Sequence, residues 1–314
     1  MKKGIFCISI DTELLWGRHD LRPAYKEFVW RAEKERVIIK KILALFKKYK
    51  IDATWAIVGH LFLNKCNRKQ SIKHPEIVKP RYDWLKSDWF SEDPCSNISR
   101  YPQWYGEDIV DEIKSHKTQE IGSHSFSHIL FGLNGCTVEC AESEIKTCIQ
   151  LAKGKKIKMT SFIFPRNLVG HLDVLQKYGF RSFRSINVHW YNTIPYVSKI
   201  LAIIDLFIPI APSVYIPRVI HGMTDIPASM YFVSARGLRK YIPENTRFHK
   251  AKLGLDRAIE KKKVFHLWTH PTDFVDNMDK LFLDFEEILK YASEKRDSDR
   301  LEIKTMSAIA DLYI

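Results

Sequence analysis

The chain has 314 residues, of which 45% are hydrophobic, and it carries a formal net charge of +13. This length allows one large core or two medium ones, and the ordinary composition excludes a fibrous or disordered protein. The positive charge favours acidic partners. However, the basic residues are dispersed along the chain and no recognised nucleic-acid-binding motif accompanies them, so we predict no specific nucleic-acid partner.

The beginning of the chain and its cysteines bear on the cellular compartment. The apolar run over residues 4–10 is too short for the core of a signal peptide and meets Asp11 at once, so it predicts a buried strand. The six cysteines form no Cys-x-x-Cys pair and no framework spacing, and we therefore expect free thiols rather than disulfides. Together these features predict a cytoplasmic protein.

Strand patterns and helix patterns alternate along the sequence. The predicted strands cover 4–10, 52–59, 119–122, 160–164, 180–183, 264–269 and 301–304, and the predicted helices cover 28–49, 107–116, 137–152, 171–178, 251–262, 279–292 and 307–312. This alternation predicts an α/β fold with parallel strands, either a (β/α) barrel or a doubly wound sheet. The long polar connection over 64–105 is typical of a functional loop.

Chemically capable side chains follow the ends of several predicted strands. They are Asp11, Glu13, His124, His128, Arg166 and His270. A parallel barrel collects its site from the carboxyl ends of different strands, so this distribution favours the barrel.

The pair His124 and His128 is the first sign of a metal centre, although such a pair arises easily by chance. If a helix began at Ser123, the two imidazoles would lie on one face and could share an ion. A third ligand should be a carboxylate, and Asp11 and Glu13 point to the same side of an extended segment. We assign Glu13 as the ligand and Asp11 as the general base. Taken alone, either acid is equally compatible with a loop cap.

Two further side chains complete the predicted chemistry. Arg166, after Phe164 and Pro165, is predicted to hold Asp11 ionised through a bidentate contact, with an ordinary surface arginine as the alternative. His270 has the character of a general acid that protonates a leaving group. The remaining histidines receive no functional role; they include His60, His74, His116, His171, His189 and His266.

At these positions the sequence resembles the polysaccharide deacetylases that share the NodB homology domain (carbohydrate esterase family 4), in a branch with Asp-x-Glu in its first motif. The segments that carry the resemblance are 9–17, 123–128, 162–167, 225–229 and 265–274. The resemblance implies one NodB-type domain over 1–314. Its fold would be a distorted (β/α)7-type barrel with long loop insertions at about 64–105 and 187–246.

The resemblance also implies a divalent metal, commonly zinc, and hydrolysis of an N-acetyl group, less often an O-acetyl group, from a sugar. By motif position, the implied base is Asp11, the implied acid is His270 and Arg166 orients the base. The implied metal ligands are Glu13, His124 and His128.

Three positions depart from the family pattern. Glu13 stands where the wider family has aspartate, Thr272 stands where related sequences often carry a second histidine, and Met230 stands where an arginine is expected. Thr272 and Met230 bear on substrate contacts more than on the chemistry.

The leading hypothesis is a metal-dependent N-deacetylase of glycan assembly that acts on an N-acetylated sugar or glycan, with a lipid-linked or nucleotide-linked intermediate as one candidate substrate. A non-sugar amidohydrolase of the allantoinase-like kind and a catalytically inactive carbohydrate-binding protein are the alternatives. The apolar segment 197–216 contains charges and prolines that argue against a spanning helix. It is read either as a packed segment or as a peripheral contact with an anionic membrane at the inner membrane face.

Overall fold

The computed structural model describes residues 1–21, 25–186 and 198–314. The α-helices in these ranges are α1 (Tyr25–Tyr49), α2 (Glu107–Ser115), α3 (Val138–Gly154), α4 (Leu172–Lys177), α5 (Ser198–Phe207), α6 (Thr246–Lys261), α7 (Met278–Asp297) and α8 (Met306–Ala310). The strands are β1 (Gly4–Thr12), β2 (Thr54–Ile57), β3 (Arg68–Lys69), β4 (Ile72–Lys73), β5 (Glu120–Ser123), β6 (Ser161–Ile163), β7 (Ser182–Arg184), β8 (Arg218–Ile220), β9 (Met223–Asp225), β10 (Met230–Tyr231), β11 (Val264–Thr269) and β12 (Leu301–Ile303).

The principal sheet is curled and almost entirely parallel. Its strands run in the order β10-β11-β1-β2-β5-β6-β7-β9-β8, with β12 paired to β1 and only β8 antiparallel to its neighbour. The segment between β9 and β10 spans the gap between the two sides of the curled sheet. The amide of Ile226 donates to the carbonyl of Phe183, and the amide of Ser229 donates to the carbonyl of His266. The predicted distorted (β/α)7-type barrel is therefore confirmed, and the doubly wound alternative is excluded.

Strand β1 lies at the centre of the fold and is buried along its whole length. Its continuous apolar sequence suits a parallel strand that is covered on both faces. Helix α6 packs so closely against its start that a Cβ at Gly4 would stand 2.6 Å from the carbonyl oxygen of Ala258. β1 thereby fixes the position of the acidic residues at its carboxyl end.

The structure differs from the sequence expectations at several elements. No helix begins at Ser123, and the two histidines that follow lie on an irregular loop. Helix α6 begins at Thr246, five residues before the predicted start. The predicted insertion at 187–246 begins outside the described residues, and His189 lies outside them as well.

The two cysteines of the insertion over 64–105 differ from the prediction of free thiols. Cys66 and Cys95 form a disulfide, whereas Cys7, Cys136, Cys140 and Cys148 are free and buried. The expectation of free thiols is therefore wrong for one pair. Sequence spacing could not reveal it, because the two cysteines are brought together only by the fold of the insertion. Within the described ranges, no helix combines the length and the apolar character needed to cross a membrane.

Candidate metal centre and catalytic site

The loop that carries His124 and His128 is held by backbone hydrogen bonds to the neighbouring strand and its extension. The amide of His124 donates to the carbonyl of Ile57, and the amides of Gly59 and His60 donate to the carbonyls of Ser125 and Phe126. Ser125 and His128 adopt positive φ values of 59° and 61°. A tight irregular loop, rather than one face of a helix, thus brings the two imidazoles to a centroid separation of 5.1 Å.

A buried carboxylate on α3 organises the same loop. Glu144 accepts hydrogen bonds from the amides of Phe126 and Ser127 at 2.7 and 2.8 Å, and from the Ser127 hydroxyl. Burial raises the pKa of Glu144 to about 7, although these hydrogen bonds oppose the rise. Since buried amides require partners, Glu144 takes over the hydrogen bonding that a regular element would otherwise provide.

Glu13 joins both histidines through a single oxygen. Its Oε1 lies 3.0 Å from Nε2 of His124 and 3.2 Å from Nε2 of His128, and all three residues are buried. Nδ1 of His124 lies 2.7 Å from the carbonyl oxygen of Ile163, which can only accept, so Nδ1 carries the proton. In the neutral ring the Nε2 lone pair therefore faces a carboxylate oxygen. A cation between these atoms would relieve that repulsion, so the residues fit a divalent metal.

Gly17 provides the space that the Glu13 carboxylate occupies. A Cβ at position 17 would stand 1.7 Å from Oε2 of Glu13, which no ordinary contact allows. Burial raises the pKa of Glu13, but the neighbouring His128 and His270 outweigh burial and hold it well below its usual value. Glu13 is therefore ionised, as a metal ligand must be.

Asp11 is held by Arg184 rather than by Arg166. The Arg184 guanidinium donates to Oδ1 and Oδ2 of Asp11 at 2.8 and 2.6 Å, and both side chains are buried. Burial raises the pKa of Asp11, but Arg184 and, more weakly, His124 bring it below its ordinary value. Arg166 instead pairs with both oxygens of Asp20 at 2.7 Å, and its side chain is partly exposed. The predicted bidentate contact exists, but the arginine that makes it is a different one.

His270 is oriented toward the acidic pair by Asp273. Its Nδ1 lies 2.9 Å from Oδ2 of Asp273, while its Nε2 lies 3.6 Å from Glu13 and 3.9 Å from Asp11. Tyr231 donates to the other oxygen of Asp273 at 2.6 Å. Burial lowers the pKa of His270, but Glu13 and Asp273 outweigh burial and raise it to about 9. In the absence of a metal charge, the ring therefore carries a proton on Nε2 at neutral pH.

Sequence reasoning missed three residues that position the site, namely Arg184, Asp273 and Glu144. Arg184 ends β7 and obeys the strand-end rule that selected the other candidates, but the predicted strand stopped one residue short of it. Asp273 lies three residues after His270, where it caps the short helix over 271–274. Glu144 gave no signal, because it resembles any other acid of an amphipathic helix.

A cavity of about 330 Å³ lies beside the group formed by Glu13, His124, His128 and His270 and shares one wall with it. Tyr231 and Trp268 line the cavity, and their rings stack at a centroid distance of 4.3 Å. Arg184 lies 4.4 Å above the Trp268 ring, and Tyr231 is bonded to Asp273. The metal-ligand candidates themselves do not line the cavity, which therefore adjoins this group of side chains rather than containing it.

No family model and no curated protein sequence matches this chain. Similarity appears at the level of the fold. A structure assigned as a polysaccharide deacetylase from Mycobacterium smegmatis has a TM-score of 0.63 and 11% identity, covering 99% of this chain and 91% of that one. PuuE allantoinase has a TM-score of 0.57 and 12% identity, covering 98% and 89%. A structure assigned as a polysaccharide deacetylase from Pseudomonas aeruginosa PAO1 has a TM-score of 0.55 and 12% identity, covering 98% and 89%. These likenesses show the deacetylase-type barrel fold.

Proposed function

We propose that this protein is a metal-dependent hydrolase that removes an N-acetyl group from an amino sugar or glycan. The observation that carries the proposal is the convergence of two imidazole nitrogens on one oxygen of Glu13, at 3.0 and 3.2 Å. The carboxylate of Asp11 and the imidazole of His270 lie beside that point without being part of it. Three ligands with a separate base and acid form the minimum set for hydrolysis at a metal.

In this proposal Glu13, His124 and His128 hold the ion. A divalent ion, for which zinc is the best match to two imidazoles and a carboxylate, would supply the Lewis acidity that polarises a carbonyl and makes water a stronger nucleophile. Asp11 accepts the proton of the attacking water on a carboxylate oxygen. Arg184 keeps that carboxylate ionised and fixes its orientation through two hydrogen bonds.

His270 acts at the other end of the reaction. Its Nε2–H donates a proton to the departing amine, so that the sugar leaves as a neutral amine rather than as an amide anion. Asp273 accepts the Nδ1 proton and thereby directs Nε2 toward Asp11 and Glu13. Arg166 receives no role in orienting the base, because it pairs with Asp20. Its partial exposure leaves it available for a contact with substrate at the rim.

The test is acetate release from N-acetylated sugars in free, nucleotide-linked and lipid-linked form, by protein treated with chelator and then reloaded with zinc. We expect metal-dependent release from at least one class, and loss of release in Asp11→Asn. Hydrolysis of allantoin without any acetate release would favour the cyclic-amide alternative, which the shared fold of the allantoinase structure also allows. Binding of sugar with neither reaction would favour the inactive carbohydrate-binding alternative.

We further propose that α5 and the residues after it make a peripheral contact with an anionic membrane. Ile200, Ile203 and Ile208 are 59%, 47% and 52% exposed, which presents an apolar face to solvent, and the net charge of +13 would favour an anionic surface. Such a contact would suit a lipid-linked substrate. Flotation with vesicles of phosphatidylglycerol and phosphatidylcholine should recover the protein at low salt, and Ile203→Ser should weaken recovery. No recovery of the wild-type protein would contradict this contact.

A further inference from the structure

A second group of side chains able to bind a metal is formed by the insertion over 64–105 together with His60, which lies in the short helix just before it. We call it the insertion cluster, and it consists of His60, Cys66, His74 and Asp93. Nε2 of His74 lies 3.0 Å from Oδ2 of Asp93, and Nε2 of His60 lies 3.9 Å from the same oxygen. Sγ of Cys66 is 3.8 Å from both Nε2 of His74 and Oδ2 of Asp93.

These separations resemble those between the ligands of one tetrahedral ion. Zinc bonds of about 2.0–2.3 Å place neighbouring ligand atoms about 3.3–3.6 Å apart. Four of the six separations within the set, at 3.0, 3.8, 3.8 and 3.9 Å, bracket that range, and the ligand atoms of His60, His74 and Asp93 all lie within 4.8 Å of one another. The side chains of His60, His74 and Asp93 are completely buried, which is unusual for a carboxylate and two imidazoles that serve no purpose.

The hydrogen bonds around His60 direct a lone pair into the cluster. Its Nδ1 lies 3.1 Å from the carbonyl oxygen of Trp104, which can only accept, so Nδ1 carries the proton of the neutral ring. Nε2 then has a lone pair, is buried and has no hydrogen-bond partner among the residues that the structure describes. It faces the carboxylate oxygen Oδ2 of Asp93 at 3.9 Å, and that oxygen also carries lone pairs. His74 can donate a hydrogen bond from Nε2 to this oxygen at 3.0 Å, but at 3.9 Å His60 cannot, and a bound cation accounts for the position of the His60 lone pair.

The other members are oriented as metal ligands usually are. Oδ1 of Asp93 accepts the amide of Cys95 at 2.8 Å, which leaves Oδ2 directed at the histidines. Nδ1 of His74 faces Oε1 of Glu76 at 3.5 Å. Carbonyl and carboxylate partners on the outer nitrogens of ligating histidines are the common support of metal sites.

We propose that the insertion cluster is a second divalent-metal site, of the zinc class, in which His60, His74, Asp93 and the thiolate of Cys66 are the ligands. In the structure Cys66 is bonded to Cys95, so the complete site requires reduction. A dithiol reductant supplies two electrons and two protons, the S–S bond breaks, two thiols form, and the reductant becomes a disulfide. Binding of the ion then displaces the proton of the Cys66 thiol.

The position of this site assigns it a structural role. The rings of His60 and His74 lie 5.7 and 5.3 Å from the ring of Phe126, within the loop that carries the catalytic histidines. Trp89 of the insertion donates to the carbonyl of Ser127 at 2.9 Å. An ion in the insertion cluster would therefore fasten the insertion against the loop that positions His128.

The test uses two variants that each retain one cysteine. In Cys95→Ser the disulfide cannot form and Cys66 remains a thiol, whereas in Cys66→Ser only Cys95 remains. Cobalt(II) is the probe, because a thiolate ligand gives a charge-transfer absorption in the near ultraviolet that imidazole and carboxylate ligands do not give. Glu13, His124 and His128 contain no sulfur, so the signal is independent of the proposed catalytic centre.

Once cobalt has filled the proposed catalytic centre, we expect one further equivalent to give the thiolate band in Cys95→Ser. Cys66→Ser should lack this band. Adding His74→Ala to Cys95→Ser should abolish the band, with circular dichroism checking that the fold is retained. In the reduced wild-type protein, zinc content should be about two ions per chain. The proposal is overturned if Cys95→Ser gives no band, or if both cysteine variants give the same band.

Discussion

The group that we propose as the catalytic centre (Glu13, His124 and His128, called the catalytic cluster below) and the insertion cluster are built from the same kinds of side chain in different surroundings. In each, Nδ1 of a histidine is anchored on a backbone carbonyl, that of Ile163 for His124 and that of Trp104 for His60. In each, the corresponding Nε2 faces a carboxylate oxygen. Both arrangements therefore fit a cation, and ligand geometry alone does not distinguish a catalytic centre from a structural one.

The neighbouring residues provide the distinction. The catalytic cluster lies at the carboxyl ends of parallel strands, next to Asp11 with its arginine and His270 with its aspartate. The insertion cluster is surrounded by aromatic rings, including those of Phe90 and Tyr105, and the carboxylate of Glu76 beside it faces the outer nitrogen of His74 rather than the proposed ligand atoms. An ion in the first cluster has a base and an acid at hand, while an ion in the second has only packing to stabilise.

The largest expected effect compares Asp11, which adjoins the catalytic cluster, with Asp93, which belongs to the insertion cluster. Asp11→Asn should lower kcat by a factor of about 10³ or more while metal content is retained, because the base is lost and the ligands are not. Asp93→Asn should leave kcat within a few-fold of the wild type and lower the melting temperature of the reduced protein. Steady-state acetate release and thermal unfolding measure the two outcomes. If Asp11→Asn stayed active, the base assignment would be wrong.

The second effect compares the two arginine–aspartate pairs at the site. Arg184→Met should lower kcat/KM about 10²-fold and shift its acidic limb to higher pH, because the pKa of Asp11 is no longer held down by the guanidinium. Arg166→Met removes an equal side chain from a partly exposed pair and should leave that limb where it is. The pH profiles of kcat/KM for the two variants decide the matter. An equal shift in both would return Arg166 to the role that the sequence first suggested.

The third effect concerns the loop that both clusters contact. Glu144→Gln keeps the side-chain volume but retains only one accepting oxygen, which can serve the two amides or the Ser127 hydroxyl but not both, so a buried donor loses its acceptor at a cost of about 1–3 kcal/mol. We expect a lower melting temperature and a drop of about 10-fold in kcat, since His128 lies at the end of this loop. Glu142 on the same helix is partly exposed and pairs with Lys177 at the surface, so Glu142→Gln is the control and should change neither quantity. Unchanged kinetics in Glu144→Gln would show that the loop is held by other contacts.

The smallest effect is a pH dependence of stability in chelator-treated protein. His270 has a folded-state pKa of about 9, above its unfolded value of 6.5. Its contribution is therefore fully present below about pH 6.5 and is lost as the pH rises through 9. The free energy of unfolding should fall by about 1–3 kcal/mol over that window, and His270→Asn should flatten the curve. Denaturant unfolding at several pH values provides the measurement. If the free energy of unfolding fell with pH as steeply in His270→Asn as in the wild type, the prediction would be wrong.

The sequence was sufficient for the barrel and for most residues that converge on the site, for a physical reason. Parallel strands present their carboxyl ends at one edge, so a polar residue after each strand is informative without coordinates. This rule found Asp11, Glu13 and His270, and it would have found Arg184 had the strand over 180–183 been extended by one residue. The rule also selected Arg166, which follows the predicted strand over 160–164. The resemblance of the Phe-Pro-Arg segment to a family motif favoured that choice.

What the sequence could not provide depends on contacts between distant segments. Asn64 to Tyr105 contains no periodic pattern, so nothing in it indicated that His74 and Asp93 meet His60, or that Cys66 meets Cys95. The support that Glu144 gives to Ser127 likewise spans two elements. Such pairings follow from tertiary packing rather than from local propensity, and only the structure reveals them.

The central claim is that Glu13, His124 and His128 hold a metal ion. The most direct measurement is an anomalous difference map at the zinc absorption edge, from crystals of the zinc-loaded protein. We predict a peak among Oε1 of Glu13 and the Nε2 atoms of His124 and His128, and its absence in crystals of His128→Ala. A map from zinc-loaded crystals with no peak at these atoms would contradict the account.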